Sequence, residues 1–491
     1  MKHSNTAKLS TYVDTAKRTW YRLQGESCFS LRRPGKFLVF AVLAALISQG
    51  CVKPAPERPE IQQDAMKSMV LTNPWTAAGF AAGPIAGNWL ASFNDPELAI
   101  LVTEAVANNP DLRVGATRVE QAREYVNMAK AALRPAVGIF GKGSFKGGDE
   151  GNMGLSGFIL GASWEIDLWG KLRYARNAAK ENYASAKADY EYARQSIAAM
   201  TARNWFLATE TWLQIQLGQE MVAFSEQYLD LALTRHKVGV GDEQDVVVAQ
   251  ANVSSYLDGL RQVQLAHQQT LRGLEQLLGR YPSAEVKARL ELARLPGPVP
   301  AGVPLEVLER RPDIIAAERR VAAAFNRVGE AKAARLPSLK LTANLGAIAS
   351  SVLDLKDDFE NPIAGAGLGM LAPIYQGGAL KTQVRIRSIE QKTAVAEYAR
   401  IALRAITDVE NALATATTLK EREVILLAMV DQNRRALELE ETSFRVGKVD
   451  MRGVRQRQLT LYGAQVTLLR VQSEQLIQRV NLHLALGGSF S

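Results

Sequence analysis

A chain of 491 residues would by length alone suggest about three domains, and its formal net charge of +9 would invite a nucleic-acid partner. Residues 1–50, however, hold eight of the Lys and Arg against Asp14 and Glu26, so the remainder lies near balance and requires no such partner. The two cysteines are Cys28 and Cys51, and if Cys28 leaves with a leader no intramolecular disulfide can form.

Taken in order, the first predicted element is the uncharged apolar run 37–47, preceded by Arg32, Arg33 and Lys36. It is too short to span a bilayer and suits the core of a secretion signal. The run ends at Ser48-Gln49-Gly50-Cys51, which resembles a lipoprotein signal and implies residues 1–50 as signal peptide with a covalent lipid on Cys51. Ser48 stands where leucine is usual and Gln49 where a small residue is usual, so a plain cleaved signal leaving Cys51 as a free thiol stays open. On the lipoprotein reading, residues 51–94 form an acylated tether and loop, with Lys53 to Pro59 extended.

Residues 95–290 form the next unit. Asp95-Pro96-Glu97 marks a helix start, with Leu98, Leu101, Val102 and Ala105 on one face, and a second helix is expected from about Asp111 to Leu133. After Pro135, strands are expected at about 136–145 and 155–166, joined by the polar loop Lys146 to Asn152. Their length of about ten residues suits tilted membrane strands. No proline follows from Ala136 until Pro282, and Gly218 is the only glycine between Leu172 and Lys237. That stretch predicts a helix of about 65 residues, roughly 100 Å long, which calls for coiled-coil support. Small residues at Ala175, Ala179, Ala186, Ala193, Ala198 and Ala202 would permit close approach. A turn at Val238-Gly239-Val240-Gly241 then sends a second helix back to Leu278-Gly279, placing the hairpin tip at about 238–246.

Residues 291–304 are a Pro-rich linker, and residues 305–491 repeat the plan. Pro110 falls on Pro312, Asp111 on Asp313, Val119 on Val321 and Pro135 on Pro337 at one offset without a gap. Further on, Gly170 falls on Gly378, Val238-Gly239 on Val446-Gly447 and Leu278-Gly279 on Leu486-Gly487. Strands are expected at about 338–349 and 363–374, with a charged loop through Lys356-Asp357-Asp358 between them. A second hairpin has its tip at about 446–454 and a seam of Leu459, Tyr462, Val466, Leu469, Leu476 and Val480. The fold class is therefore α+β and membrane-associated: two tandem repeats, each with two membrane strands and a long helical hairpin.

Four membrane strands cannot stand alone, because every backbone group in lipid must be paired and about eight strands are needed even for a filled barrel. The chain must oligomerise, and the hairpins of the oligomer would continue its barrel as a helical tube. Such an object is a conduit.

At this point the residues carry a resemblance. Trp89 with Phe93-Asn94-Asp95-Pro96-Glu97-Leu98, then Ser163 to Lys171 (SWEIDLWGK), then Leu308 to Ile314 (LERRPDI) and Pro373 to Gly378 (PIYQGG) resemble the TolC-like outer-membrane efflux proteins, specifically the NodT-type lipoprotein subgroup serving resistance-nodulation-division pumps. The resemblance spans Trp89 to Gly487. It implies a homotrimer with a twelve-stranded barrel in outer-membrane lipid and a periplasmic α-helical tunnel, docked to a periplasmic adaptor and an inner-membrane transporter. It also implies passive export of small molecules such as drugs or toxic compounds; an outlet for secreted proteins, or a structural coiled-coil envelope lipoprotein, are the other readings.

The candidate residues lie at the tips. Val238, Gly239, Gly241 and Asp245, with Val446, Gly447, Arg452, Gly453 and Arg455, are expected at the periplasmic entrance and adaptor contact. Family members often narrow this entrance with aspartates on the second hairpin; here Gly453 stands opposite Asp245 and the tip is basic. Arg452 and Arg455 would either favour anionic solutes or form a solvated face paired with Asp450 or Asp245. No enzyme is expected, since only His236, His267 and His483 follow the leader and no HExxH, paired Cys or GxSxG occurs. The scattered methionines suggest no metal relay, and no cofactor other than the lipid is expected.

Overall fold

The computed structural model describes residues 52–67, 75–76, 87–142, 156–300, 304–349 and 363–490. The signal peptide, Cys51 and the strand-connecting loops at 146–152 and 356–358 lie outside the described residues. Ahead of the repeats come α1 (Arg58–Ala65), a 3-10 turn at Trp89–Phe93, and α2 (Pro96–Asn108). The tether expected to be extended thus coils at Arg58, where Pro59 fits a helix's first turn. The first repeat runs α3 (Pro110–Ala131), β1 (Ala136–Lys142), β2 (Ser156–Ile166), α4 (Lys171–Lys237), α5 (Glu243–Leu277). After α6 (Pro304–Arg310), the second runs α7 (Pro312–Ala333), β3 (Ser338–Ala349), β4 (Ile363–Leu371), α8 (Ala379–Arg445), α9 (Met451–Ala485). Both α4 and α8 have 67 residues, so each is roughly 100 Å long. β4 stops at Leu371, short of the expected 374, because Pro373 has no N–H for the ladder.

The strands form one antiparallel sheet in the order β1-β2-β3-β4. Its register places Ile139 opposite Leu160 and Leu160 opposite Leu345, while Gly138 meets Gly161 and Gly161 meets Asn344. Since side chains alternate along a strand and opposed residues share a face, one face carries Val137, Ile139, Phe158, Leu160, Trp164, Leu341, Leu345, Leu368 and Met370. The other carries Gly138, Gly161, Ser163, Glu165, Lys340, Thr342, Asn344, Gly365 and Gly367, and with them Phe140, Ile159 and Leu371. β1 and β4 are the sheet's two open edges.

Helix passes to strand, and strand to helix, through tied corners. The Trp164 indole donates to the Leu133 carbonyl at 3.0 Å, and that of Trp169 reaches across the repeats to the Pro337 carbonyl at 2.8 Å. Asp167 accepts from the amides of Leu172 and Arg173, each at 3.0 Å, satisfying orphan donors at the start of α4 where Gly170 offers no side chain. Most of the SWEIDLWGK segment is therefore a structural corner.

Below the sheet, α7 packs against both α4 and α8, α5 returns along α4, and α9 along α8. Gly329 of α7 exists for this closeness: a Cβ there would lie 2.5 Å from the Tyr174 ring. The repeats also share one internal joint. Asn109 caps α3 and donates to the Leu277 carbonyl at 3.0 Å, and Arg311, at the same place before α7, donates to the Ala485 carbonyl at 3.1 Å. Arg311 is buried and paired with Asp313 at 2.8 Å, so it sets a helix start and ties down the end of α9.

The largest core surrounds Trp205 and Phe206 of α4, against Leu98, Leu274 and Leu476. Each large side chain buried there contributes roughly 2–3 kcal/mol. Asp95 is buried beside it with every demand met: it accepts from the Leu98 amide at 3.1 Å and the Trp205 indole at 2.9 Å, and pairs with Arg289 at 3.0 Å. The expected α9 seam is shifted. Leu469, Leu476 and Val480 are buried, but above them Val454, Leu461 and Ala464 take the inner positions and Leu459, Tyr462 and Val466 are half-exposed. The seam drifts because a straight helix turns by 3.6 residues and a strict heptad by 3.5.

His483 lies in this body, stacked on Trp89 with ring centroids 5.9 Å apart and planes at 16°. Burial, then the charge of Arg479, push its imidazole down to about 4. The folded state therefore disfavours the proton that the unfolded chain binds near pH 6.5. His483 stabilises the fold above that pH and ceases to do so as pH falls through 4. Acid titration of folding between pH 6.5 and 4 is expected to lose up to about 3 kcal/mol, and His483→Phe to flatten that slope. An unchanged slope in the variant would contradict this.

Candidate functional site

The sequence-selected residues gather at the ends of the two hairpins. α4 ends when Gly239 takes φ +77°, with the Val240 amide returning to the Arg235 carbonyl and the Gly239 amide to that of His236, both at 3.0 Å. α8 ends identically: Gly447 takes φ +76°, and the amides of Lys448 and Gly447 reach Ser443 and Phe444, both at 2.9 Å. Left-handed glycine after the last turn is what this closure demands. Gly241 is needed for a different reason, since a Cβ there would lie 2.8 Å from the His236 nitrogen.

The return helices start on aspartates the sequence reading had not singled out as caps. Asp242 accepts from the Gln244 amide at 3.2 Å, and Asp450 from those of Arg452 at 2.7 Å and Gly453 at 3.3 Å. Asp245, in the first turn of α5, is then free to face the other hairpin. Arg452 takes it with two nitrogens, Nη2 at 2.7 Å and Nε at 2.8 Å. Arg455 lies with its guanidinium carbon 5.7 Å from the centre of the Tyr228 ring. The Tyr228 and Tyr256 phenols are pushed up by burial, against the opposing pull of Arg455. Of the two readings open from the sequence, these contacts match the pairing of Arg452 with Asp245; both arginines join the hairpins, and the Arg452 side chain stays half-exposed. Tyr228 was not visible to the sequence reading; it lies about three turns before the tip and matters only once the hairpins are placed side by side.

Met451 completes the join. It packs against the apolar cluster around Tyr228 and Val246 and the one around Leu437 and Val454. The gap left between Tyr228, Arg235, Asp245 and Arg452 has a volume of about 40 Å³. That is room for a water, not for a drug-sized molecule. Gly453 lies under the Glu440 side chain, which occupies the space a Cβ would need. Val238, Val240 and Val446 stand exposed on the turns, each more than 60 % accessible. Apolar side chains held out on rigid turns are a contact surface rather than a chemical site. Among the described residues no cluster of His, Cys, Asp or Glu is arranged to hold a metal ion, and no helix is long and apolar enough to cross a membrane.

Asp245→Ala removes the carboxylate oxygen that holds both Arg452 nitrogens and is expected to raise amide hydrogen exchange across residues 446–456 by roughly twofold to fivefold, the effect of one exposed ion pair. Exchange identical to the parent chain would show that the pair does not hold the hairpins together.

Three comparisons bear on what such a chain does. The outer membrane efflux protein family profile matches residues 101–280 and again 303–488. The antibiotic efflux pump outer membrane protein ArpC of Pseudomonas putida is 30 % identical over 474 residues, covering 93 % of this chain and 96 % of ArpC. The cation efflux system protein CusC of Escherichia coli strain K12 is 27 % identical over 478 residues, covering 93 % of this chain and 99 % of CusC. Among solved structures, the CmeC outer membrane channel of Campylobacter jejuni superposes with a TM-score of 0.78 at 22 % identity, covering 86 % of this chain and 95 % of that one.

Proposed function

This chain belongs to the outer membrane efflux protein family, and on that premise we propose that three copies close their sheets into one twelve-stranded barrel whose lumen continues down a tunnel of helical hairpins. The protein is the outer-membrane exit duct of a tripartite efflux system, extends into the periplasm, and is not an enzyme. The observation that carries trimer closure is the sheet itself. It has one face made almost wholly of apolar side chains and fit for lipid, an opposite face that carries its glycines and its Ser163, Glu165, Lys340, Thr342 and Asn344 together with Phe140, Ile159 and Leu371, and two open edges that no membrane tolerates.

The ends of the duct follow from the same placement. The Lys53 amide donates to the Tyr174 hydroxyl at 2.9 Å, and Val52 lies against Gly170 at the corner from β2 into α4. The described chain thus begins beside the corner that joins sheet to helix, and a lipid on Cys51 with a signal peptide over residues 1–50 is part of the proposal. The opposite end presents the valine-bearing turns of both hairpins to a periplasmic adaptor, and beyond it to an inner-membrane transporter of the resistance-nodulation-division type. The cargo is small molecules, drugs or toxic compounds among them. ArpC is named for antibiotics and CusC for cations at similar identity to this chain, so the choice of cargo lies with the transporter rather than the duct.

In outer-membrane fractions of cells bearing this chain, the mature protein is expected to begin at acylated Cys51. Its deletion should raise accumulation of an efflux dye severalfold, with a plasmid copy restoring export. Recovery in the inner membrane with the leader intact, or dye accumulation indifferent to the deletion, would contradict the assignment.

A further inference from the structure

The charge of the chain after its leader lies near balance in total but is not spread evenly. All four passages between sheet and helix lie at one end of the sheet, since β1 and β3 begin where β2 and β4 end. In these passages and the helical turns next to them, over 130–135, 167–177, 332–337 and 372–386, nine Lys and Arg stand with one acid, Asp167. At the far ends of the hairpins the signs mix, with Arg235, Asp242 and Asp245 on one and Lys448, Asp450 and Arg452 on the other. The excess of positive charge therefore belongs to the sheet end.

The first repeat neutralises part of its share. Lys171 pairs with Glu165 at 2.7 Å and Arg173 with Asp167 at 3.0 Å. The second repeat keeps the cation and drops the acids: at the offset that sets Gly170 on Gly378, Arg173 falls on Lys381, whereas Glu165 and Asp167 fall on Pro373 and Tyr375. Six cations are left exposed with no ion pair among the described residues. They are Lys130 and Arg134 at the end of α3, Lys332 and Arg335 at the end of α7, and Lys381 and Arg385 at the start of α8. A second copy of the chain cannot answer this charge, because it brings the same cations to the same end.

Their level relative to the sheet decides what can. β2 and β3, of 11 and 12 residues, cross roughly 25 Å when tilted as membrane strands are. A headgroup layer of roughly 5–8 Å lies beyond the hydrocarbon on either side. Arg385, the deepest of the six, is only about 9 Å of helix from the start of α8, within reach of an arginine side chain. Trp164 and Trp169 mark the same boundary. Each gives its indole N–H to a carbonyl at the corner and keeps its ring partly exposed, and Tyr375 beside them is exposed as well.

We propose that this collar binds the phosphodiester headgroups of anionic phospholipid in the periplasmic leaflet, chiefly through Lys332, Arg335, Lys381 and Arg385 of the second repeat. Charge beneath the sheet then holds it at one depth, as the apolar face does across the hydrocarbon, and the duct selects anionic over zwitterionic lipid as its neighbour. The inference rests on the placement of the sheet in lipid proposed above and adds the class of lipid.

Quenching of Trp164 and Trp169 reads this in the full chain reconstituted in phosphatidylcholine vesicles. A fraction of the lipid is replaced by acyl-brominated phosphatidylglycerol or by acyl-brominated phosphatidylcholine. The parent chain is expected to be half-quenched at a severalfold lower fraction of the phosphatidylglycerol, and the preference should shrink toward unity as salt rises to about 1 M. Lys332→Gln, Arg335→Gln, Lys381→Gln and Arg385→Gln together should abolish the preference while quenching by brominated phosphatidylcholine persists. Lys420→Gln with Arg434→Gln, roughly 60 Å or more down α8, should keep it. A parent that does not distinguish the two lipids, a preference indifferent to salt, or a quadruple variant as selective as the parent overturns the headgroup site. A preference in the parent that inorganic phosphate abolishes at constant ionic strength assigns the cations to soluble anions and overturns it equally. A parent quenched by neither lipid overturns the placement of the sheet in lipid as well.

Discussion

Unpaired backbone is the constraint from which the structure follows. A sheet of four antiparallel strands with an apolar face leaves the N–H and C=O groups of β1 and β4 open, and hydrocarbon offers them nothing. In water such edges could be shielded by charge or a bulge; in a membrane only another strand satisfies them. Every larger feature serves that pairing. The chain is two halves because each supplies one hairpin of strands, and the halves are bound to each other at the corners, where Trp169 of the first reaches the Pro337 carbonyl of the second.

The helical part meets a different demand with the same economy of parts. Helices of 67 residues gain little from propensity alone and need neighbours along their length. Each lies beside its return helix, and the four ends of these hairpins, at Gly239, Gly279, Gly447 and Gly487, use one left-handed glycine closure. At the membrane-distal tips the two hairpins meet through Arg452 on Asp245, Arg455 on Tyr228, and Met451 between them. The contact is exposed, charged and shallow, as a region that must yield to a partner would be, in contrast to the dense core around Trp205.

Much of this was legible in the residues. Proline and glycine punctuation located both long helices and both tips, since those residues act through local backbone geometry. The alternation of Val137, Gly138 and Ile139 located a strand for the same reason. What the sequence could not show was the pairing of distant groups. Asp167 reads as part of a motif and is a cap, and the contact of Arg455 with Tyr228 of the other hairpin has no sequence signal, whereas the pairing of Arg452 with Asp245 is one of the two readings its position leaves open. The seam of α9 was misread at Leu459, Tyr462 and Val466 because a long straight helix drifts away from a heptad. β4 was read too long because its apolar character runs on past Leu371, although Pro373 ends its ladder.

On the proposed closure one chain is a third of a barrel, and native mass spectrometry of the protein released from the outer membrane in mild detergent tests that directly. A trimer, lost only under conditions that unfold the sheet, is the predicted result. A stable monomer retaining its strand signal would mean that the edges of β1 and β4 are satisfied in some other way, and the duct would have no wall.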